Sequence, residues 1–139
     1  MPDRIPPNTF TELVTRVMQL TQLVQNELVA GEDLTQYQLV RFVGGVLKVA
    51  SSDDISRMPV DGMVLASVSS GETVDMLDEG VVENPSWSFT PGNPIYAGPN
   101  GTIVQTPPST PNSVVQKLGV ALTATKIYFD PDKTFHIIQ

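Results

Sequence analysis

The last third of the sequence constrains the fold most, because short runs of strand-forming residues alternate there with strong turn signals. Four such runs occupy residues 95–97, 102–106, 114–122 and 127–129. They are closed in turn by Gly-Pro-Asn-Gly, Pro-Pro, Thr-Ala-Thr and Asp-Pro. Turns at this spacing are typical of β-sandwiches and small barrels. We therefore predict a mainly β fold, a small sandwich or barrel-like domain of short antiparallel strands.

The same pattern continues toward the N-terminus. Residues 38–43 alternate as a strand, Gly44-Gly45 provides a two-residue hairpin turn, and residues 46–50 form the returning strand. Further strands are predicted at residues 62–68, 73–77 and 81–83, with a turn at residues 78–80. Prolines are concentrated between residues 84 and 111. Because proline cannot donate a hydrogen bond to a ladder, we expect loops and sheet edges in that segment.

One α-helix is predicted, at residues 9–29, ahead of the strands. Thr9 and Glu12 have the spacing of a capping box, in which hydroxyl and carboxylate satisfy free amides of the first turn. Apolar residues then recur at intervals of three and four, which places them on one stripe of a helix. These residues are Phe10, Leu13, Val17, Leu20 and Val24. The stripe covers roughly two heptads, which is too short to predict a free-standing coiled coil.

The partner of this stripe has two interpretations. The opposite helix face carries mostly uncharged Thr, Gln and Asn, whereas a fully solvated helix usually carries more charge. The helix is therefore either part of a contact between chains or packed across its own β-domain. Residues 1–8 contain three prolines and form either an arm on a neighbouring subunit or a frayed end. We divide the chain into an arm and amphipathic helix, residues 1–29, and a β-domain, residues 30–139.

Composition excludes several classes of partner. The 139 residues suffice for one domain with its own core. A net charge of −7 argues against binding to nucleic acid or to anionic membranes. The sequence shows neither a secretory signal nor an apolar run of membrane-spanning length, so we expect a soluble protein. The chain has no cysteine, which removes disulfides, thiolate metal sites and cysteine nucleophiles.

No catalytic or metal-binding motif is recognisable, so we predict a protein that is not an enzyme and needs no cofactor. His136 is the single histidine, and in a terminal strand it is more typical of a sheet face than of a general base. Asp53-Asp54 and Asp130-Pro131-Asp132 lack the spacing of a calcium loop. The acidic residues of segment 72–83 offer no means of choosing a glycosidase pair. We interpret them as solvated turn and strand-face residues.

Trp87 and Phe89 alternate with Ser88, which predicts a strand with both rings on one side. The chain has few aromatic residues, so a core position is the first interpretation. A platform that stacks on a sugar is the alternative.

The C-terminal β segment carries a resemblance to a known family. The residues concerned are Pro91-Gly92, Ile95-Tyr96, Gly101-Thr102-Ile103, Thr106-Pro107-Pro108, the run from Val115 to Thr125 and Ile127-Tyr128-Phe129. In this order they resemble the C-terminal β-module of small virion proteins of tailed bacteriophages, which are similar to capsid decoration (cement) and head-fibre-type proteins. The resemblance extends more loosely back to Gly31. Its motifs are turns and strands and include no reacting group, and this chain adds the predicted helix and proline arm.

The resemblance implies a non-enzymatic protein, commonly a homotrimer, that binds the major capsid protein on the outer surface of the shell and stabilises it. Such a protein is made in the cytoplasm of the bacterial host and ends on the virion. The helix stripe and the arm would then make the oligomer or shell contacts. A receptor- or glycan-binding module of a head or tail fibre is the alternative, and it would use Trp87, Tyr96 or Tyr128. A polysaccharide hydrolase is a third hypothesis, for which the sequence identifies no catalytic pair.

Overall fold

The computed structural model describes residues 22–139. The strands are β1 (Leu23–Val29), β2 (Leu39–Val43), β3 (Val46–Val49), β4 (Gly62–Val64), β5 (Thr73–Glu83), β6 (Pro94–Ala97), β7 (Ile103–Val104), β8 (Val114–Val115), β9 (Lys117–Ala121), β10 (Lys126–Phe129) and β11 (His136–Ile137). Two 3-10 turns, Ile55–Arg57 and Pro99–Gly101, interrupt them. The predicted mainly β fold is confirmed, as a curled antiparallel sheet in the shape of half a barrel.

One large sheet contains nine of these strands. Its order is β3-β2-β4-β5-β10-β9-β6-β7, and β1 pairs with β5 beside this path. A separate two-stranded sheet joins β11 to β8. The predicted hairpin is confirmed, since β2 and β3 pair from Val43↔Val46 to Val40↔Val49 across Gly44-Gly45. Both glycines have positive φ, at 58° and 85°, as a two-residue hairpin turn requires.

The long strand β5 joins the two halves of the sheet. Its first part pairs with β1 and β4, and its last four residues pair with β10. The turn predicted at residues 78–80 is therefore wrong, because the strand runs through it. Gly80, at φ 148°, lies in a region open essentially to glycine. A single glycine thus gives the strand an unusual backbone geometry without ending it.

The centre of the sheet is buried on both faces. Neighbouring residues of β2, β4 and β5 belong to different hydrophobic clusters, as expected when successive side chains point to opposite faces. We call the larger one cluster A: Leu39, Ala50, Val60, Met63, Leu77, Ile95, Ala97, Leu118, Ala121, Ile127 and Phe129. Cluster B consists of Ala30, Leu34, Val40, Leu47, Val49, Val64, Val74 and Met76. Cluster A joins the two halves of the curled sheet, since β6, β9 and β10 contribute to it.

The helix prediction is wrong where it can be compared with the structure. Residues 23–29 form β1, which pairs antiparallel with β5. Val24 is half-buried against cluster A, and Leu28 packs on cluster B. The pairing register shifts between Gln25 and Leu28, where Glu27 has a positive φ of 57°, so Val24 and Leu28 contact different clusters although they are four residues apart. Phe10, Leu13, Val17 and Leu20 lie outside the described residues.

Other predicted strands also differ from the structure; for example, the strand predicted at residues 62–68 ends at Val64. Residues 114–122 were predicted as one strand, but Gln116 separates β8 from β9. Trp87 and Phe89 lie in a loop after β5, although both are half-buried against cluster A as the core interpretation expected. The large sheet also contains residues on both sides of the predicted domain division between residues 29 and 30.

The two borders of the sheet path are short strands. At one border, β3 has four residues, and the carboxylate of Glu32 accepts a hydrogen bond from the backbone N–H of Val49 at 2.8 Å. At the other, β7 has two residues, and Pro107-Pro108 follow shortly after it. Short strands, prolines and capped amides are the usual ways to keep a sheet edge from pairing further.

Candidate functional site

A cleft of about 460 Å³ opens where three separate segments meet. It lies between the turn at residues 35–38 that precedes β2, the loop after β5, and the 3-10 turn Pro99–Gly101 that precedes β7. The side chains that matter here are Gln36, Tyr37, Asn84, Trp87, Asn100 and Thr102, and we call this site the Trp87 cleft. Its volume lies within the range of small-molecule sites in proteins.

The first wall is fixed by hydrogen bonds to the sheet. Tyr37 donates its backbone N–H to the carbonyl of Val64 at 2.8 Å, and its hydroxyl donates to the carbonyl of Glu83 at 3.2 Å. Gln38 ties this wall to the opposite one, because its Nε2 donates to the carbonyl of Asn100 at 3.1 Å. The cleft is therefore held across its width by the protein itself.

The loop after β5 places the indole. Asn84 accepts from the backbone N–H of Trp87 at 3.0 Å through its carbonyl, and from Ser86 at 3.0 Å through Oδ1. The ring of Trp87 packs against those of Tyr37 and Phe89, with centroid distances of 5.3 and 5.4 Å and tilted planes. Aromatic pairs favour such tilted arrangements. Two aromatic neighbours thus hold Trp87 in place.

Unusual backbone conformations are concentrated at this cleft. Four non-glycine residues between 22 and 139 have positive φ, and two of them, Tyr37 at 73° and Asn100 at 52°, line the cleft. The left-handed conformation is uncommon for a bulky aromatic residue. Gly101, at φ 77°, lies so close to Gln38 that a side chain there would collide with it. Strained backbone of this kind is often found at ligand-binding sites.

The cleft is also electrically neutral. None of its ten lining residues carries a charge, in a chain with 15 acidic and eight basic residues. Its polar groups are side-chain amides, hydroxyls and main-chain groups, which can both donate and accept hydrogen bonds. The cleft can therefore bind a neutral polar ligand that also presents an apolar face to the indole.

The structure separates the three aromatic residues predicted as candidates for sugar binding. Only Trp87 lines the cleft. Tyr96 lies on β6 and borders a different depression, near His136. Tyr128 lies on β10 and donates its hydroxyl to the carboxylate of Glu79 on β5. Sequence reasoning missed Tyr37, whose only signal was an aromatic residue between two glutamines just before a strand.

The acidic side chains of β5 are exposed or half-buried on the strand, in agreement with their interpretation as surface residues, and they also have hydrogen-bond partners. Asp78 accepts from Gln25 of β1 at 3.0 Å, and Asp75 accepts from the backbone N–H of Glu27 at 3.0 Å. On the other side, Glu79 accepts from Tyr128 and Glu83 accepts from Thr125 at 3.2 Å. These carboxylates therefore link β5 to the strand on one side and to β10 and its preceding turn on the other.

Two pKa values report on the surroundings of Glu79. The hydrogen bond to Glu79 is the main cause that raises the pKa of Tyr128 to about 12. The pKa of Asp130 is also raised, mainly by partial burial and then by the negative charge of Glu79. The negative charge of Glu79 is a further cause that raises both pKa values.

The remaining candidate residues have local roles. His136 is exposed on β11 and pairs with Val115, which agrees with its predicted position on a sheet face. Asp54 caps the turn Ile55–Arg57 by accepting from the backbone N–H of Ser56 at 2.9 Å. The hydrogen bond from the Ser56 hydroxyl, and then the one from its backbone N–H, lower the pKa of Asp54. Between residues 22 and 139, no group of three or more His, Asp or Glu side chains is placed to hold a metal ion.

Comparisons with known proteins complete the description of the site. Over the part of the chain that the structure covers, no helix is long and apolar enough to cross a membrane. No protein-family model matches the sequence, and no curated protein matches it either.

Proposed function

We propose that the protein is a non-enzymatic structural protein of a tailed-bacteriophage virion, which binds the outer surface of the capsid as a decoration protein. The observation that supports this proposal is the arrangement of the segment that resembles such proteins. Its strands β10, β9, β6 and β7 are consecutive neighbours at one end of the sheet. Most residues of the resemblance therefore form one continuous part of the sheet, as a module would, while Val115 on β8 pairs with β11 in the separate two-stranded sheet.

We infer that the two halves of the curled sheet pack on cluster A as a small sandwich or barrel-like body. Ile95, Leu118 and Phe129 from the C-terminal half and Leu39 and Met63 from the other half are all fully buried in this cluster. Burial of each such side chain contributes about 1.5–3 kcal/mol. A body of this kind is a stiff support for shell binding.

The attachment surface in this proposal includes residues 1–21 and the exposed apolar side chains of β1, which follows them directly. Leu23 of β1 is 55% exposed and Val29 is 40% exposed. Apolar side chains at this position supply area that a capsid protein can bury. The acidic side chains of neighbouring β5 would steer the protein toward basic groups on the shell, while apolar contacts would hold it.

The test is a truncation designed from the strand boundaries. A chain that begins at Gln22 keeps β1, whereas one that begins at Ala30 loses the strand that pairs with β5. We expect the chain of residues 22–139 to unfold in one cooperative transition in urea, which shows that it is folded, and to fail to sediment with capsid shells that lack their decoration protein. The full chain is expected to sediment with the same shells. Unchanged shell binding by the truncated chain would contradict the proposed attachment surface.

The oligomer is tested separately. We propose that the full chain is a homotrimer, as the resemblance implies, and that it docks on the major capsid protein. Sedimentation velocity of the full chain should give the mass of three copies of the 15.0 kDa chain. A monomer at concentrations that saturate shells would rule out the trimer.

A further inference from the structure

We propose that the Trp87 cleft binds a neutral saccharide, with the indole of Trp87 against the apolar face of one sugar ring. This site is separate from the attachment surface proposed above. The cleft is formed by the turn before β2, the loop after β5 and the turn before β7, and β1 does not line it.

The chemistry of the lining selects the class of ligand. A charged ligand would find no opposite charge among the ten lining residues, and burying an unpaired charge is costly. A neutral saccharide carries hydroxyls that donate and accept, together with C–H faces that pack on aromatic rings. The cleft offers both kinds of partner, since it combines Trp87 and Tyr37 with amide and hydroxyl side chains.

The hydrogen-bond pattern indicates which groups can bind the ligand. Gln38 is occupied in holding the cleft together, because Oε1 accepts from Thr35 and Nε2 donates to Asn100. Asn84 accepts from Ser86 through Oδ1, and its Nδ2 donates to no residue between 22 and 139. Gln36 donates through Nε2 to the carbonyl of Leu65 at 3.2 Å, which leaves its Oε1 as an acceptor. Two lining residues from different segments therefore have one donor and one acceptor that can bind hydroxyls of a ligand.

The cleft is preorganised for this role. Hydrogen bonds fix all three segments before any ligand arrives, and the left-handed residues Tyr37 and Asn100 are held in place by them. A site that is already ordered loses little conformational entropy on binding. The volume of about 460 Å³ accommodates one or two sugar rings and is short for an extended peptide.

The experiment uses the full chain on an array of neutral and acidic oligosaccharides, with an array of proline-rich peptides in parallel. Binding to neutral members is expected, followed by a titration of Trp87 fluorescence with the best of them. Trp87 is the only tryptophan of the chain, so a change in its emission reports on this cleft. A chain that binds no array member, binds only acidic glycans, or binds only the peptides would overturn the proposal.

Matched asparagine variants locate the binding. Asn84→Ala removes a donor from the cleft and should weaken saccharide binding about tenfold, the effect expected for one buried hydrogen bond. Asn93→Ala changes an exposed asparagine in the turn before β6 and should leave the affinity within about twofold. Trp87→Phe keeps an aromatic ring on cluster A and should also weaken binding. Equal affinity for Asn84→Ala and Asn93→Ala would place the saccharide elsewhere.

The saccharide proposal and the shell-binding proposal can be rejected separately. A chain of residues 22–139 retains all residues of the cleft and should still bind the saccharide, although it should no longer bind shells. Loss of shell binding by Asn84→Ala at normal stability would instead show that the cleft serves capsid attachment, and it would contradict the saccharide proposal.

Discussion

Two glutamines make the same kind of hydrogen-bonded contact, and burial determines how much each contact contributes to the stability of the protein. The side chain of Gln116 forms two hydrogen bonds with the backbone of Val60. Its Oε1 accepts from the Val60 N–H at 2.7 Å, and its Nε2 donates to the Val60 carbonyl at 3.2 Å. At the surface, Gln105 forms the same two hydrogen bonds with the backbone of Thr90, at 2.8 Å to the N–H and 3.0 Å to the carbonyl. Gln116 is 1% exposed and also donates to the carbonyl of Asp132. Water can replace the contacts of Gln105 but has no access to those of Gln116.

We therefore expect Gln116→Met to destabilise the protein by about 2–4 kcal/mol, because it leaves buried backbone groups of Val60 without partners. Gln105→Met should cost less than about 1 kcal/mol. Urea unfolding followed by circular dichroism measures both values. Similar losses for the two variants would show that burial does not decide the strength of these contacts.

The Tyr128 hydroxyl provides a second residue-level prediction. Its ordinary pKa of 10.0 is raised to about 12, mainly by the hydrogen bond to Glu79. The folded protein therefore retains this proton longer than the unfolded chain does. Stability from this group is complete below pH 10 and is lost as the pH rises from about 10 to about 12.

Glu79→Gln should lower the pKa of Tyr128 toward its ordinary value, as measured from phenolate absorbance during an alkaline titration. Glu83→Gln is the control, because this carboxylate belongs to the same strand and bonds to Thr125. A titration of Tyr128 that is the same in both variants would mean that Glu79 is not the cause of the shift.

At the scale of elements, the sequence predicts best the strands whose ends are marked by turns. The β2–β3 hairpin, β6 and β10 follow from Gly-Gly, Gly-Pro-Asn-Gly and Asp-Pro signals beside β-branched or aromatic residues. The prediction from local turn signals is wrong where tertiary contacts determine the backbone conformation. Asp-Glu-Gly predicts a turn within β5, yet pairing with β1 and β10 on either side of it keeps the segment extended.

The cleft could be predicted only in part for the same physical reason. The alternation of Trp87 and Phe89 indicated two rings on one side, and both do pack on cluster A. Tyr37 and Asn100 are 63 positions apart and meet because β2, β5 and β6 are brought together by the curl of the sheet. Contacts at this separation leave no periodic signal in one sequence.

The pairing of β9 with β10 depends on one glycine. Gly119 pairs with Phe129 and has a φ of 133°, and a Cβ there would collide with the carbonyl oxygen of Tyr128. Gly119→Ala should therefore cost roughly 3–5 kcal/mol from backbone strain and overpacking together. Gly71→Ala, at φ 90° with open space around it, should cost only about 1–2 kcal/mol. Comparable urea midpoints for the two variants would contradict this account of the strand pair.

At the scale of the whole molecule, clusters A and B share the strands β2, β4 and β5 and should unfold together. Met63 in cluster A and Met76 in cluster B are both completely buried, which provides a matched pair of substitutions. Each methionine to alanine change should cost about 2–5 kcal/mol. In both variants, Trp87 fluorescence and circular dichroism should report the same single transition. A second transition in Met76→Ala that leaves the fluorescence unchanged would show that cluster B melts by itself.

The two borders of the sheet path affect whether crowded copies of this protein can pair with one another through their strands. The carboxylate of Glu32 covers an amide of β3, and prolines follow the two-residue strand β7. Neither border offers a long row of free backbone groups to another chain. At these two borders, molecules held side by side at high local density can therefore touch through their side chains without adding strands to one another's sheet.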